Sequence, residues 1–220
     1  MPQQDETAES RRKTAAADVK RILRDSIMRG DVLPGQRLTL GEVAERTGYG
    51  QMPVREALFQ LEGEGILEVS PHRGAVVRPV DAKFVFDMYE VRRSLDGLLI
   101  RNAIPAMRAD VLARLVAAQK DYEAAIGADT QTILNRNAAF HAVINQAADN
   151  PVATGILNRG WELVHALRVR FGFGRDRLAH TLVGHAPLGD ARQRGDLEAG
   201  VEVSDRHTVT ARDDLLALLA

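Results

Sequence analysis

Cysteine is absent from all 220 residues, which excludes disulfides and thiolate metal sites but does not by itself fix a compartment. A dominant charge is absent too: 29 Lys and Arg against 30 Asp and Glu leave a formal net charge of -1, so no global basic field surrounds the chain. An extended anionic partner would have to be met by a local patch. Residues 11–80 supply a modest one, with 12 Lys and Arg against 9 Asp and Glu, a difference of +3 that a dimer doubles on one surface. Long apolar runs are missing as well. None approaches the roughly 18–20 residues needed to span a bilayer, and no signal-peptide pattern opens the chain, so the expectation is a soluble cytoplasmic protein. Residues 1–14 are polar and read as a disordered tail.

What is present is concentrated first in Leu33 to Val80. Leu40, Val43 and Ala44 lie on one side of a helix that ends at Thr47-Gly48, where glycine suits a helix stop. A second helix begins near Gln51, with Pro53 in its first turn, where a missing amide costs no intrahelical bond. Val54, Ala57, Leu58 and Leu61 form its inner stripe, while Gln51 and Arg55, four apart, share the outer side. Two short helices joined by a tight glycine-containing turn make a helix-turn-helix, whose second helix can enter a major groove. A hairpin follows: Ile66 to Val69, a Pro71-His72-Arg73-Gly74 turn, then Ala75 to Val77. It forms a wing with a basic tip. A supporting helix over about Ala15 to Arg29, with Val19, Ile22, Leu23 and Ile27 on one side, precedes these elements and stops at Gly30.

Leu33-Pro34-Gly35-Gln36-Arg37-Leu38, the run Pro53 to Leu58, the pattern Leu61 to Ile66 and the Arg73-Gly74 turn together resemble the winged helix-turn-helix of GntR-type bacterial transcription regulators. The resemblance covers about 65 residues, Ala17 to Val80, and implies DNA contacts from Arg37, Arg55 and Arg73, with His72 and Gly74 in the same wing turn. The Arg11-Arg12-Lys13 cluster is either a further backbone contact or a solvated terminus. Where relatives carry a small hydroxyl residue, arginine and threonine before the proline, this chain has Gly50, Gln51 and Met52. Gln51 exchanges a guanine-reading fork for an amide suited to adenine, and the lost hydroxyls remove phosphate contacts.

Pro79 to Ala82 interrupts the pattern and sets the domain boundary, giving a winged domain over 15–80 and a helical domain over 81–220. The expected helices run about Ala82–Ala103, broken by Pro105; Arg108–Ile126; Thr130–Ala148; Val152–Phe171; and Asp196–Leu219. Phe84, Met88, Val91, Leu95 and Leu98 are read as the inner stripe of the first, and Leu112, Leu115 and Val116 as that of the second. The fold class is therefore mainly α: an N-terminal winged helix-turn-helix followed by an all-α bundle.

On the Thr130–Ala148 helix, Ile133, Asn137, Phe140, His141, Ile144 and Ala148 share one face, and two of them are polar. Asn137 and His141 could bond to each other within the core, or could supply two ligands to a metal. The spacing of Asn137, Phe140-His141, His185 and His207 resembles the FCD ligand-binding domain of the FadR branch of GntR regulators. That resemblance implies a metal held by Asn137, His141, His185 and His207. The oxygen ligand is a neutral amide where relatives have a carboxylate, which favours Zn²⁺ or Ni²⁺ over harder cations. Arg92 matches an arginine that faces the effector pocket in the family, implying a small organic acid. Its alternative is a surface arginine paired with Asp96. His165, His180 and Trp161 read as packing or surface residues.

These readings converge on a homodimeric, DNA-binding repressor, controlled by a carboxylate effector, that binds a near-palindromic operator. Two rivals are a metal-dependent hydrolase built on the histidines, and a helical sensor that has lost DNA binding. No carboxylate is clearly placed as a general base, and the hydrolase leaves the amino-terminal third without a role.

Overall fold

The computed structural model of the chain describes residues 3–70, 74–174 and 196–219. Two compact units divide it, residues 1–80 and 81–220. Expectations for His72, Arg73, His180 and His185 lie outside the described residues.

In the first unit α1 spans Gln3–Met28, with Ala16, Val19, Leu23 and Ile27 buried at helical spacing. Residues 3–14, expected as a disordered tail, are helical instead. Their polarity hid the helix, because the stretch carries no apolar stripe. Alanine, glutamate and arginine are nonetheless good helix formers, and no glycine or proline interrupts α1 before Gly30. The helix α2, Leu40–Thr47, opens with a capping box: Thr39 accepts from the Glu42 amide while the Glu42 carboxylate accepts from the Thr39 amide at 2.8 Å. It closes at Gly48, where φ is +75°. The helix α3, Gln51–Gly63, buries Val54, Ala57, Leu58 and Leu61 as expected.

The strands are β1 (Arg37–Leu38), β2 (Leu67–Ser70) and β3 (Gly74–Val77), in the order β1-β3-β2 with both pairings antiparallel. The short β1 was not anticipated, since two residues are too few to show an alternating pattern. It pairs Leu38 with Ala75 and so backs the hairpin onto the unit. Lys20 donates to Glu64 at 3.1 Å, Arg24 pairs with the same carboxylate, and the Tyr49 hydroxyl donates to Asp18 at 3.1 Å. These contacts lock α1 against α3 and against the turn between α2 and α3.

The second unit comprises α4 (Ala82–Ala106), α5 (Ala109–Ala124), α6 (Thr130–Ala148), α7 (Pro151–Asn158), α8 (Trp161–Phe171) and α9 (Leu197–Leu219). Leu99, Ile100, Ile104, Met107, Phe140 and Ile144 centre its core. Four expectations are corrected here. Pro105 lies inside α4 rather than ending it; in the last turn, a missing amide removes only one helical bond. The expected fourth helix is two, because Gly160 takes φ +71° and turns the chain between α7 and α8. The stripe assigned to α4 is rotated. Val85, Tyr89, Asp96, Leu99, Ile100 and Ala103 are buried, whereas Val91 and Leu98 are exposed and Phe84, Met88 and Leu95 only half-buried. The α4–α9 contact causes this. Gly97 lets Val201 approach, to 3.5 Å from where a Cβ would stand, and Asp96 turns inward. Val116 on α5 is likewise exposed.

Candidate functional site

The first candidate is the outer surface of the winged unit. Gln51, Met52, Arg55 and Phe59 are exposed along α3, and Arg37 is exposed on β1, beside the Leu38 that anchors the strand. The ion pairs among the described residues include neither Arg37 nor Arg55, so both guanidiniums are available to phosphate or base edges. Gly50 caps α3 without a side-chain hydrogen bond, and no acid stands in the first turn. Gly74 has a structural role that the sequence reading did not separate from DNA contact. Its φ is +80°, and an added Cβ would lie 2.2 Å from the Leu38 carbonyl oxygen, so only glycine lets β3 cross β1 there.

The second candidate is a cavity of about 580 Å³ inside the helical unit, lined by residues of α4, α5, α6, α7, α8 and α9. The end of α6 shapes one part of its wall. Asp149 takes the left-handed conformation at φ +46°, Asn150 then caps α7 by accepting from the Ala153 amide at 3.0 Å, and Pro151 fills the first position.

Asn137, His141 and His207, three of the four residues read as metal ligands, line this one cavity from α6 and α9. The His141 and His207 rings stand 5.5 Å apart between centroids, close enough for a nitrogen from each to reach one cation. Asn137 lies one turn before His141 on the same face. Among the described residues no group of three His, Cys, Asp or Glu side chains is gathered for a metal. The two imidazoles and an amide oxygen therefore fit part of a nitrogen-rich site.

Arg92 combines parts of its two sequence readings, the cavity position of one and the Asp96 pairing of the other. It lines the cavity, and its Nε sits 3.1 Å from Asp96 Oδ2. It is not a surface residue: the side chains are 12% and 8% exposed. The guanidinium also lies 4.2 Å from the centre of the Trp161 ring, a cation–π contact. Thr208 on α9 donates to the same Asp96 oxygen at 3.2 Å. Burial pushes the Asp96 carboxyl up from its ordinary pKa, and Arg92 and the Thr208 hydroxyl pull it back. Arg168 is the second cavity arginine, buried and paired with Asp214, with a further bond to the Ala211 carbonyl.

Sequence reasoning set Trp161 and His165 aside as packing or surface residues and did not single out Arg168, yet all three line the cavity. Burial, followed by the Arg92 charge, lowers the His165 pKa and favours its neutral form. The signal was available: positions 161, 164, 165 and 168 share one face once the helix is begun after Gly160. Asn145, Gln146 and Asn158 add amides to the wall.

Comparison with known proteins bears on both surfaces. Residues 87–210 match the FCD domain, and residues 15–77 match the bacterial regulatory proteins of the gntR family. Among curated proteins, the chain is 26% identical over 163 residues to the uncharacterized HTH-type transcriptional regulator YdhC of Bacillus subtilis, covering 73% of this chain and 72% of that one. It is 27% identical over 201 residues to a protein of Paenarthrobacter nicotinovorans described as a "Probable D-xylose utilization operon transcriptional repressor", covering 89% and 86% of the two chains. Among solved structures, Escherichia coli McbR/YncC superposes with a TM-score of 0.65 at 20% identity, covering 90% of this chain and 97% of that one, which speaks to the fold alone. The matched families and relatives are transcription regulators rather than enzymes, which sets the hydrolase reading aside.

Proposed function

The chain belongs to the FCD-domain family, as a DNA-binding transcription regulator with a gntR-type winged domain, and from that premise we propose that it is a homodimeric repressor released from its operator by a small organic acid. The observation that carries the effector half of this reading is Arg92. Its fork lies in the cavity with Asp96 on one edge and Trp161 against one face, so the remaining donors are fixed in direction and suited to a carboxylate. Neutral amides at Asn145, Gln146 and Asn158 offer hydrogen bonds to hydroxyl or carbonyl groups of the same molecule.

Asn137, His141 and His207, joined by His185, would hold Zn²⁺ or Ni²⁺. Such an ion, when bound, supplies a positive charge that anchors a carboxylate or water oxygen in the cavity. The helices carrying Arg92 and His207 are tied together: Arg93 on α4 pairs with Asp205 on α9, Glu90 with Arg212, and Arg101 with Glu198 at 3.3 Å. A ligand touching Arg92 and His207 therefore acts on α4 and α9 as one body. It alters DNA affinity by binding one arrangement of the dimer better than the other.

The half-buried flank of α4 with exposed Val91 and Leu98 is the surface a second copy would cover. Two winged units then meet two half-sites of a near-palindrome. As a bacterial DNA-binding regulator, the protein acts in the cytoplasm.

Fluorescence anisotropy on duplexes from the gene's own upstream region tests the reading. Binding falls steeply with salt, and Arg55→Ala costs roughly 1–3 kcal/mol. A panel of organic acids then contains at least one that releases the DNA from the wild type but not from Arg92→Ala. If every acid is inert while DNA binding persists, the effector half of the reading fails and the DNA half stands.

A further inference from the structure

The outward crest of α3 carries two large apolar side chains, which neither the charge pattern nor the choice of Gln51 and Arg55 as readers anticipates. Val54, Ala57, Leu58 and Leu61 are no more than 2% exposed and mark the inner side. At about 100° per residue, Met52 stands almost directly opposite, with Phe59 and Glu56 about 30° to either side, Arg55 further round and Gln51 at the shoulder. Met52 is 69% exposed and Phe59 54%. A single exposed apolar side chain needs no explanation. Two on one line, on the helix expected to enter a groove, do.

We propose that Met52 is a specificity-determining residue that packs against the 5-methyl group of a thymine in each operator half-site. This rests on the reading of α3 as the helix that enters the major groove. In that groove the apolar feature that base edges present is the thymine methyl. The first turn of the second helix in a helix-turn-helix is the part that approaches base edges, and Met52 is in it. Its thioether is unbranched and polarizable, so it adapts to a methyl group at several approach angles. Gly50 leaves room beside it, and no acid in that turn repels the phosphates. Phe59 lies seven residues on, about 10 Å along the axis, and meets the groove later.

The test starts from a half-site selected out of a randomised duplex pool by the full-length protein. Each thymine is then replaced in turn by deoxyuridine, which lacks only the methyl, and affinity is read by anisotropy. Wild type loses about fourfold at one position per half-site, the worth of one buried methyl. Met52→Ala binds more weakly and does not distinguish thymine from deoxyuridine at that position. Met52 is exposed, so an unchanged melting curve accompanies the variant. The proposal is overturned if the selected half-site has no thymine, if wild type is indifferent to every replacement, or if Met52→Ala retains the discrimination. In each of those cases Arg55→Ala decides the underlying reading. Reduced affinity keeps α3 as the reading helix without Met52, and unchanged affinity removes Arg55 from the reading face as well.

Discussion

Arg92 and Asp96 form a buried pair whose two halves cannot fail in the same way. Removing the carboxylate with Asp96→Ala strands a guanidinium that is 12% exposed and cannot shed its proton. Breaking a buried pair in this direction costs roughly 3–5 kcal/mol. Removing the arginine with Arg92→Ala strands a carboxyl that can respond, because burial already raises its pKa and the largest opposing influence has gone. The variant therefore keeps Asp96 protonated to a higher pH than wild type does. Its folded state then holds a proton that the unfolded chain releases, so stability falls as pH rises. In the window between the wild-type and variant titrations of Asp96, the Arg92→Ala penalty grows by about 1.4 kcal/mol per pH unit. The Asp96→Ala penalty stays flat there. Urea unfolding reads both, since Trp161 is the chain's only tryptophan and lies in the helical unit against Arg92. Helical circular dichroism provides a second probe that does not depend on that contact. A pH-independent Arg92→Ala penalty, or an Asp96→Ala cost no larger than that of Arg92→Ala at the acid end of that window, would refute the account of a coupled buried pair.

Gly74→Ala forces a left-handed residue against the Leu38 carbonyl, so the winged unit should lose several kcal/mol in thermal unfolding followed by circular dichroism. On the metal, His141→Ala should abolish Zn²⁺ or Ni²⁺ uptake, whereas Asn137→Asp should tighten it by adding a negative charge; elemental analysis and melting with and without chelator decide, and uptake in neither wild type nor Asn137→Asp would leave the histidines as cavity residues alone. His165 has a lowered pKa, so its contribution to stability is complete above its ordinary value of 6.5 and is lost as pH falls below it; His165→Gln should flatten that part of the acid-side melting curve.

The winged unit was almost fully legible in the sequence because its signals are local. A capping box, glycine stops and a four-residue stripe each act within a few positions, so α2 and α3 appear where the pattern puts them. What escaped was either too short to show a period, as with β1, or too polar, as with the first turns of α1. Among the described residues the helical unit was legible in its helix count to within one break and poorly legible in its faces. Apolar residues on α4 recur at helical spacing along its flank, yet its buried side includes Asp96 and Gly97, which no hydrophobic pattern would choose.

That mismatch explains why the cavity was only half found. Asn137 and His141 stood out because polar residues on an apolar stripe are conspicuous, and His207 was found through the family resemblance. Arg168, Trp161 and His165 did not, because their common face exists only once Gly160 restarts the helix. Asp96 was seen merely as the surface partner of Arg92. Its burial comes from α9, more than a hundred residues away, through Thr208. A buried charge is determined by everything that packs around it, and such long-range packing leaves no period in the chain to read. The same limit applies at the surface of α3. The spacing that identified Gln51 and Arg55 as outward-facing was correct, but the crest between them and Glu56 belongs to Met52 and Phe59. A reader looking for hydrogen-bonding side chains passes over a methionine, although a groove that displays a methyl group can be read by one.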